Sequence, residues 1–276
     1  MLRAGNQILD LSRPVVMGIV NLSPDSFYEG SRVEAVEILL EKAGNMQEEG
    51  AEIIDLGALS SRPGSMEIPE EEEAERLIPA IQALRKEFPS LVISADVFRP
   101  AVTAEALAAG AGIINNIHGM RATEEMLGNI ASFHAAYVCM HSIGGFADMH
   151  REYEYENLAT EVASGLMNAI HKAQQAGITD VIADPGFGFS KNLNQNFRLF
   201  REMGYLSVLG CPLLCGISRK SMIYRSLGCG PEEALNGSTA LHMAALMQGS
   251  HILRVHDVKP AKETIRLFNE LCLQES

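Results

Sequence analysis

Two positions apart in the stretch "HILRVHD" (251–257), Arg254 and His256 would emerge on one face of a strand, where a guanidinium and an imidazole suit the oxygens of a polyanion. Asn21, which ends the run "VVMGIVN", could help them hold such an anion, with a divalent cation as a further partner. "GISRKSMI" places Ser218, Arg219, Lys220 and Ser221 where a strand hands over to a helix, and free backbone N–H groups at such a junction favour a carboxylate or a phosphate. Asp96, Asn115, Asp184 and Lys220 offer acceptors and donors that suit the edge of a small fused-ring heterocycle. Two polar loops with glycines, "NLSPDSFYEGS" (21–31) and "SSRPGS" (60–65), complete the set and fit segments that order upon substrate. Taken singly, His256 fits a core histidine as well, and "SRKS" fits a solvated turn.

Positioning these groups requires elements that recur. Apolar, β-branched runs appear eight times: "VVMGIVN", "EIIDLG", "LVISAD", "IINNI", "AAYVCMH", "VIADPG", "PLLCGIS" and "HILRVHD". The segments between them have helical periodicity, with Gly50 and Gly177 as C-terminal stops. Strand then helix, repeated, implies parallel pairing, and the repeats are roughly 34 residues apart, the size of one βαβ unit. No GxGxxG follows the first strand, so a closed (β/α)8 barrel is expected rather than an open doubly wound sheet. Asn21, Asp96, Asn115, Asp184, Lys220, Arg254 and His256 then crowd the C-terminal mouth, where the chemistry of such barrels sits. Independent core roles for all of them fit this clustering poorly.

The bulk properties agree. The chain has 276 residues, 47% of them hydrophobic, which is ample for a packed core. Its net charge of −13, with no concentrated lysine or arginine, excludes the footprint of a nucleic-acid or membrane-surface binder. No long apolar segment suggests a secretory signal or a membrane span, so a cytoplasmic protein is expected. Five cysteines without CxxC spacing argue for reduced thiols rather than disulfides or a zinc site. The acidic run "PEEEEAERL" (69–77) reads as a solvated helix start.

"GIVNLSPDSF", "SSRPG", "ADPGFGFSKN", "GISRKSMI" and "RVHDV" occur in the order and at the spacing of the dihydropteroate synthases, and the chain resembles that family over essentially its whole length. The resemblance implies a single pterin-binding (β/α)8 barrel domain over residues 1–276. It implies condensation of 6-hydroxymethyl-7,8-dihydropterin diphosphate with p-aminobenzoate, release of pyrophosphate, a homodimer, and sulfonamides as inhibitors. By the same resemblance Asp96, Asn115, Asp184 and Lys220 hold the pterin, while Asn21, Ser61, Arg254 and His256 serve the diphosphate, with Asn21 on Mg2+. Ser61, Pro63, Phe189, Lys220 and Ser221 form the p-aminobenzoate pocket, and Asp184, Lys220 and Arg62 are the catalytic set. The implied mechanism is alkyl transfer in which pyrophosphate leaves before the arylamine attacks.

Departures from the family pattern fall at Tyr28 and Glu29 in the first loop, at Ser61 in the second, at Asn116, and at "MHSIGG" after the fifth strand. They put loop geometry, more than activity, in question. A folate-to-corrinoid methyltransferase barrel would share the heterocycle pocket but would have no use for the anion clamp. A silent pterin-binding paralogue would not need both loops.

Overall fold

The structure, a computed structural model, describes residues 1–22, 32–59 and 65–272. Eight parallel strands run around a barrel: β3 (Val15–Asn21), β4 (Ile53–Gly57), β5 (Val92–Asp96), β6 (Ile113–Asn116), β7 (Ala136–Met140), β8 (Val181–Asp184), β9 (Leu214–Cys215) and β10 (Ile252–Val255). Neighbours pair in chain order, β10 returns to pair β3, and a bridge between Ala183 and Leu213 joins β8 to β9. The expected (β/α)8 barrel is therefore what the chain forms.

Helices α1 (Arg32–Glu48), α2 (Glu70–Glu87), α3 (Pro100–Ala109), α4 (Glu124–Ser132), α5 (Leu158–Gln175), α6 (Leu193–Arg201), α7 (Ser221–Leu227), α8 (Leu235–Met247) and α9 (Val258–Cys272) make the outer layer. Gly50 and Gly177 follow α1 and α5 with φ of +102° and +96°, the left-handed conformation that ends a helix cheaply only at glycine. All five cysteines are free thiols, as their spacing suggests.

Alternation along each strand divides the core in two. Outward residues such as Val16, Ile54, Ile93, Ile114 and Leu253 meet the helices, while Met17, Ile53, Val92, Ile113, Ile182, Leu214 and Ile252 fill the lower barrel interior. A hairpin absent from the sequence expectation, β1 (Leu2–Ala4) with β2 (Gln7–Leu9), adds Leu2, Ala4 and Leu9 to that lower layer. Its approach is close: a Cβ on Gly112 would lie 2.6 Å from the Ala4 carbonyl oxygen. The bottom is thereby closed, which leaves the other end for ligands.

The acidic helix start needs a correction. Glu70 and Glu71 are exposed, but Glu73 is fully buried and paired with Arg99, and Glu72 pairs with Arg76. Burial raises the Glu73 pKa against the pull of Arg99. The dipole argument accounts for the composition, but Arg99 just before α3 accounts for the position of Glu73. Asn116 also has a structural explanation. It faces away from the barrel interior, accepts from the His118 N–H at 2.7 Å and donates to the Tyr137 hydroxyl at 3.3 Å, so its departure from the family pattern falls outside the mouth.

Candidate active site

Above the apolar layer the inward positions turn polar. Asp55 of β4, wholly buried, accepts from Ser94 Oγ at 2.6 Å, Asn115 Nδ2 at 3.0 Å and Arg254 Nε at 2.7 Å. Arg254 Nη2 also donates to Asp96 Oδ2 at 2.9 Å. Strand register brings these together, since Asp55 lies opposite Ser94 and Asp96 opposite Asn115. Burial alone would depress the guanidinium's pKa, but the carboxylates of Asp55 and Asp96 outweigh it and hold Arg254 firmly charged. For Asp96 burial wins over Arg254 and pushes the carboxyl up to about 7, with the charge of Asp55 acting in the same direction. In this structure the donors of Arg254 serve the carboxylates of Asp55 and Asp96, beside the position expected for the heterocycle.

Across the interior, Asp184 ends β8 and accepts the Gly186 N–H at 2.8 Å through Oδ1. Burial raises its pKa, and Lys220 is the strongest opposing influence. Lys220, the N-cap of α7, donates to the Phe187 carbonyl at 2.6 Å and holds its ammonium 4.7 Å from the centre of the Phe189 ring. Burial pushes the Lys220 ammonium down to about 8, with Asp184 resisting. His150 stacks on the same phenyl ring at 5.2 Å and 21°. The connecting loop is tight: at Gly186, with φ +69°, a Cβ would come 2.0 Å from the His141 carbonyl oxygen. Only glycine fits there, which explains the "PGFGF" spelling.

A third group supports the strand-to-helix turn. Arg219, at φ +55°, forms a two-pronged ion pair with Asp257 at 2.7 Å for each contact, and its N–H donates to Ser238 Oγ at 3.0 Å. This fixes the backbone that presents Ser218, Lys220 and Ser221. His256 Nδ1 lies 3.2 Å from Ser218 Oγ. Burial, reinforced by the charge of Arg254, lowers the His256 pKa to about 4, so the ring is neutral at neutral pH.

These groups surround a cavity of about 780 Å³, lined among others by Asn21, Asp96, His150, Phe189, Ser218, Lys220, Ser221, Arg254 and His256. Asn115 is buried and held by Asp55, outside the lining. Asp184 is outside it too but reaches the floor past Gly216, where a Cβ would come 3.9 Å from its Oδ2. Ser61, Arg62 and Pro63, with Tyr28 and Glu29 of the first loop, lie outside the described residues. The sequence reading missed Asp55, Ser94, His150 and the Arg219–Asp257 pair. Asp55 carried a usable signal, as an acid at an inward position of "EIIDLG".

No cluster of three or more metal-ligating acids, imidazoles or thiols occurs among the described residues. A lone amide such as Asn21 fits a hard cation that brings most of its ligands as phosphate and water oxygens. No helix among the described residues is long and apolar enough to cross a membrane.

Comparison with known proteins adds a second line of argument. A family model described as pterin binding enzyme matches residues 17–256. The dihydropteroate synthase of Escherichia coli K12 is 41% identical over 262 residues, covering 94% of this chain and 92% of that protein. Among solved structures, the Xanthomonas albilineans dihydropteroate synthase with 4-aminobenzoic acid superposes with a TM-score of 0.91 at 37% identity, covering 99% of this chain and 98% of the other. The Thermus thermophilus enzyme in complex with 6HMPPP gives 0.85 at 34% identity, with 98% of each chain covered.

Proposed function

Because the chain belongs to the pterin binding enzymes and, among them, to the transferases known as dihydropteroate synthases, we propose the following division of labour at the barrel mouth. The pterin edge occupies the pit formed by Asp96, Asn115, Asp184 and Lys220. Its diphosphate extends toward Asn21, His256 and the near side of Arg254. The aryl ring of p-aminobenzoate lies against Phe189 and the stem of Lys220, with its carboxylate at Ser221. The observation that carries this reading is that one cavity is lined at once by Asn21, Arg254 and His256 and by Phe189, Lys220 and Ser221. The ligands of the solved relatives, 4-aminobenzoic acid and 6HMPPP, support the same pair of substrates. Ser61, Arg62 and Pro63 enter by family resemblance alone.

In the reaction the bond between the exocyclic methylene and the diphosphate oxygen breaks, and its electron pair leaves with pyrophosphate. The arylamine lone pair forms the new C–N bond, and the nitrogen gives up a proton. We place departure before attack. Asp184 and Asp96 are acceptors for a ring that becomes electron-poor as pyrophosphate leaves, and preorganised charges of this kind act most strongly where charge develops. No covalent nucleophile is required, and the nearby thiols of Cys139 and Cys215 are fully buried with their pKa values raised by burial. Mg2+ bound through Asn21 and the diphosphate would neutralise the leaving group. His256, neutral at the working pH, contributes a hydrogen bond rather than a charge.

A homodimer belongs to this reading. Tyr205, Val208, Leu227, Met247, Leu267 and Leu271 are exposed on the flank built by α7, α8, α9 and the turn before β9. Sedimentation equilibrium tests it, and a monomer at micromolar concentration would refute it.

The deciding experiment measures pyrophosphate release from the pterin diphosphate by the purified protein, with Mg2+ and p-aminobenzoate each omitted in turn. Release that depends on both is expected. Positional isotope exchange within the diphosphate in the absence of the arylamine tests the order of events, and its absence would favour concerted displacement.

A further inference from the structure

Lys191 is the last residue but one of the motif "ADPGFGFSKN", and the proposed reaction does not use it. Only 6% of it is exposed, and its ammonium lies 3.1 Å from His141 Nδ1, 3.0 Å from the Gly186 carbonyl oxygen and 3.0 Å from that of Phe189. Burial pushes the Lys191 pKa down to about 7 against the pull of Asp184, and in its charged form the three N–H donors are saturated by these acceptors. The ring nitrogen then accepts, which places the His141 proton on Nε2. Burial, with the neighbouring ammonium acting in the same direction, lowers the His141 pKa well below its ordinary value, in keeping with a neutral, accepting ring. Charged or titratable groups facing Lys191 are His141 after β7, Asp184 on β8 and Lys220 at the start of α7.

Two of the three acceptors are the first and last residues of the segment Gly186–Phe189. That segment carries the phenyl ring at the cavity wall and the Phe187 carbonyl that receives Lys220. Its outer side has separate supports: Gly188 N–H donates to Asn196 Oδ1 at 2.7 Å, Ser190 N–H to the Met149 carbonyl at 2.8 Å, and the Tyr155 hydroxyl to the Ser190 carbonyl at 2.9 Å. Lys191 is therefore the inner tie of a loop whose outer ties would keep it folded.

We propose that Lys191 is a positioning residue for the second substrate, pinning the Gly186–Phe189 segment from beneath so that Phe189 stands as a fixed wall of the aryl slot, with His141 as its acceptor partner. The assignment rests on the proposed function, because it takes the Phe189 wall to face the arylamine. Asp96 is held by Arg254, away from the lysine; Asp184 shares Gly186 with the tie through the Gly186 N–H, but its main chain is fixed in β8, where its carbonyl accepts the His141 N–H at 2.9 Å. Loosening the inner tie should thus act on the aryl slot more than on the pterin pit.

The test is steady-state kinetics on the full chain as wild type, Lys191→Met, His141→Leu and His141→Gln, with hydrogen exchange followed over 186–190. In Lys191→Met the KM for p-aminobenzoate is expected to rise about tenfold, as for one lost charge-assisted contact, while that for the pterin diphosphate moves less than about twofold. Exchange at 188–190 should accelerate. His141→Leu is expected to shift the same KM about threefold in the same direction, a weaker effect because two of the three contacts remain. His141→Gln, which restores an acceptor, should return it to the wild-type value. Equal shifts in both KM values, or a KM for p-aminobenzoate unchanged in both Lys191→Met and His141→Leu, would overturn the proposal. Should Lys191→Met fail to fold, the His141 pair decides: rescue by glutamine supports the tie, and a leucine variant indistinguishable from wild type removes it. An active wild type with unshifted variants sinks this inference alone, whereas a wild type that releases no pyrophosphate sinks the functional reading and this inference with it.

Discussion

Arg254 Nη2 stands 2.9 Å from Asp96 Oδ2, so the cation expected at the leaving group and the carboxylate expected at the heterocycle form a single ion pair. The two half-sites are thereby joined through a shared charge. His256 has no such link: its ring nitrogen approaches Ser218 on the turn before α7.

A division between the two residues follows. His256→Ala should weaken binding of the pterin diphosphate by about 1 kcal/mol, the worth of a neutral hydrogen bond, and leave an unphosphorylated pterin unaffected. Arg254→Ala should weaken both ligands, because it also leaves Asp55 and Asp96 buried without their cation. Calorimetry with the two ligands checks this, and equal losses for both ligands in His256→Ala would remove that residue from the anion end.

Asp55→Asn should destabilise the fold without removing any group that lines the cavity. Arg254 and the donors of Ser94 and Asn115 converge on this carboxylate, and breaking one side of a buried ion pair typically costs about 3 to 5 kcal/mol. Urea denaturation monitored by circular dichroism gives the value. A loss under about 1 kcal/mol would mean that Arg254 can be satisfied by Asp96 alone.

Lys220 makes a prediction in pH. Burial takes its pKa from 10.5 down to about 8 in the folded chain. Between those values the unfolded chain holds a proton that the folded chain lacks, so this group makes stability rise with pH across that window. Below about 8 both states hold the proton and the folded state bears the full cost of the buried charge. Lys220→Met should accordingly be more stable than wild type at pH 7, with the difference shrinking as pH climbs toward 10.5. Urea midpoints across that range decide it, and a pH-independent difference would show that the ammonium is solvated.

The sequence exposed the strands far better than it exposed the partnerships. Eight runs of β-branched residues are long enough to read as strands, though "PLLCGIS" contributes only Leu214–Cys215 to regular pairing. The hairpin went unseen because three-residue strands have too few alternations to register. Asp55 went unseen as a site residue for a different reason: its cation lies 199 positions away and meets it only when the barrel closes. Asn21, Asp96, Lys220, Arg254 and His256 were legible because strand ends in this fold share a mouth, a rule of topology rather than of local sequence. Nothing in "GFGFSKN" says that Lys191 turns inward; that depends on Gly186 resting against the His141 carbonyl.

Asp184→Asn tests the charge of the pit at nearly constant shape. Oδ1 must accept the Gly186 N–H, so an asparagine has to place its oxygen there and turn its NH2 toward the cavity floor and Lys220. A donor would then face the ring edge that donates, and the strongest anionic partner of Lys220 would be gone. With Asp184 no longer opposing burial, the Lys220 pKa should fall below its value of about 8, so that the ammonium becomes partly neutral at the working pH. Turnover is expected to drop about a hundredfold, the sum of a lost charge-assisted bond and a mispaired donor, while the thermal midpoint stays close to that of wild type. The basic limb of the kcat profile should also move to lower pH, which a purely steric defect would not produce. Full turnover with an unmoved limb would take Asp184 out of the reaction and leave it as the loop's anchor for Gly186.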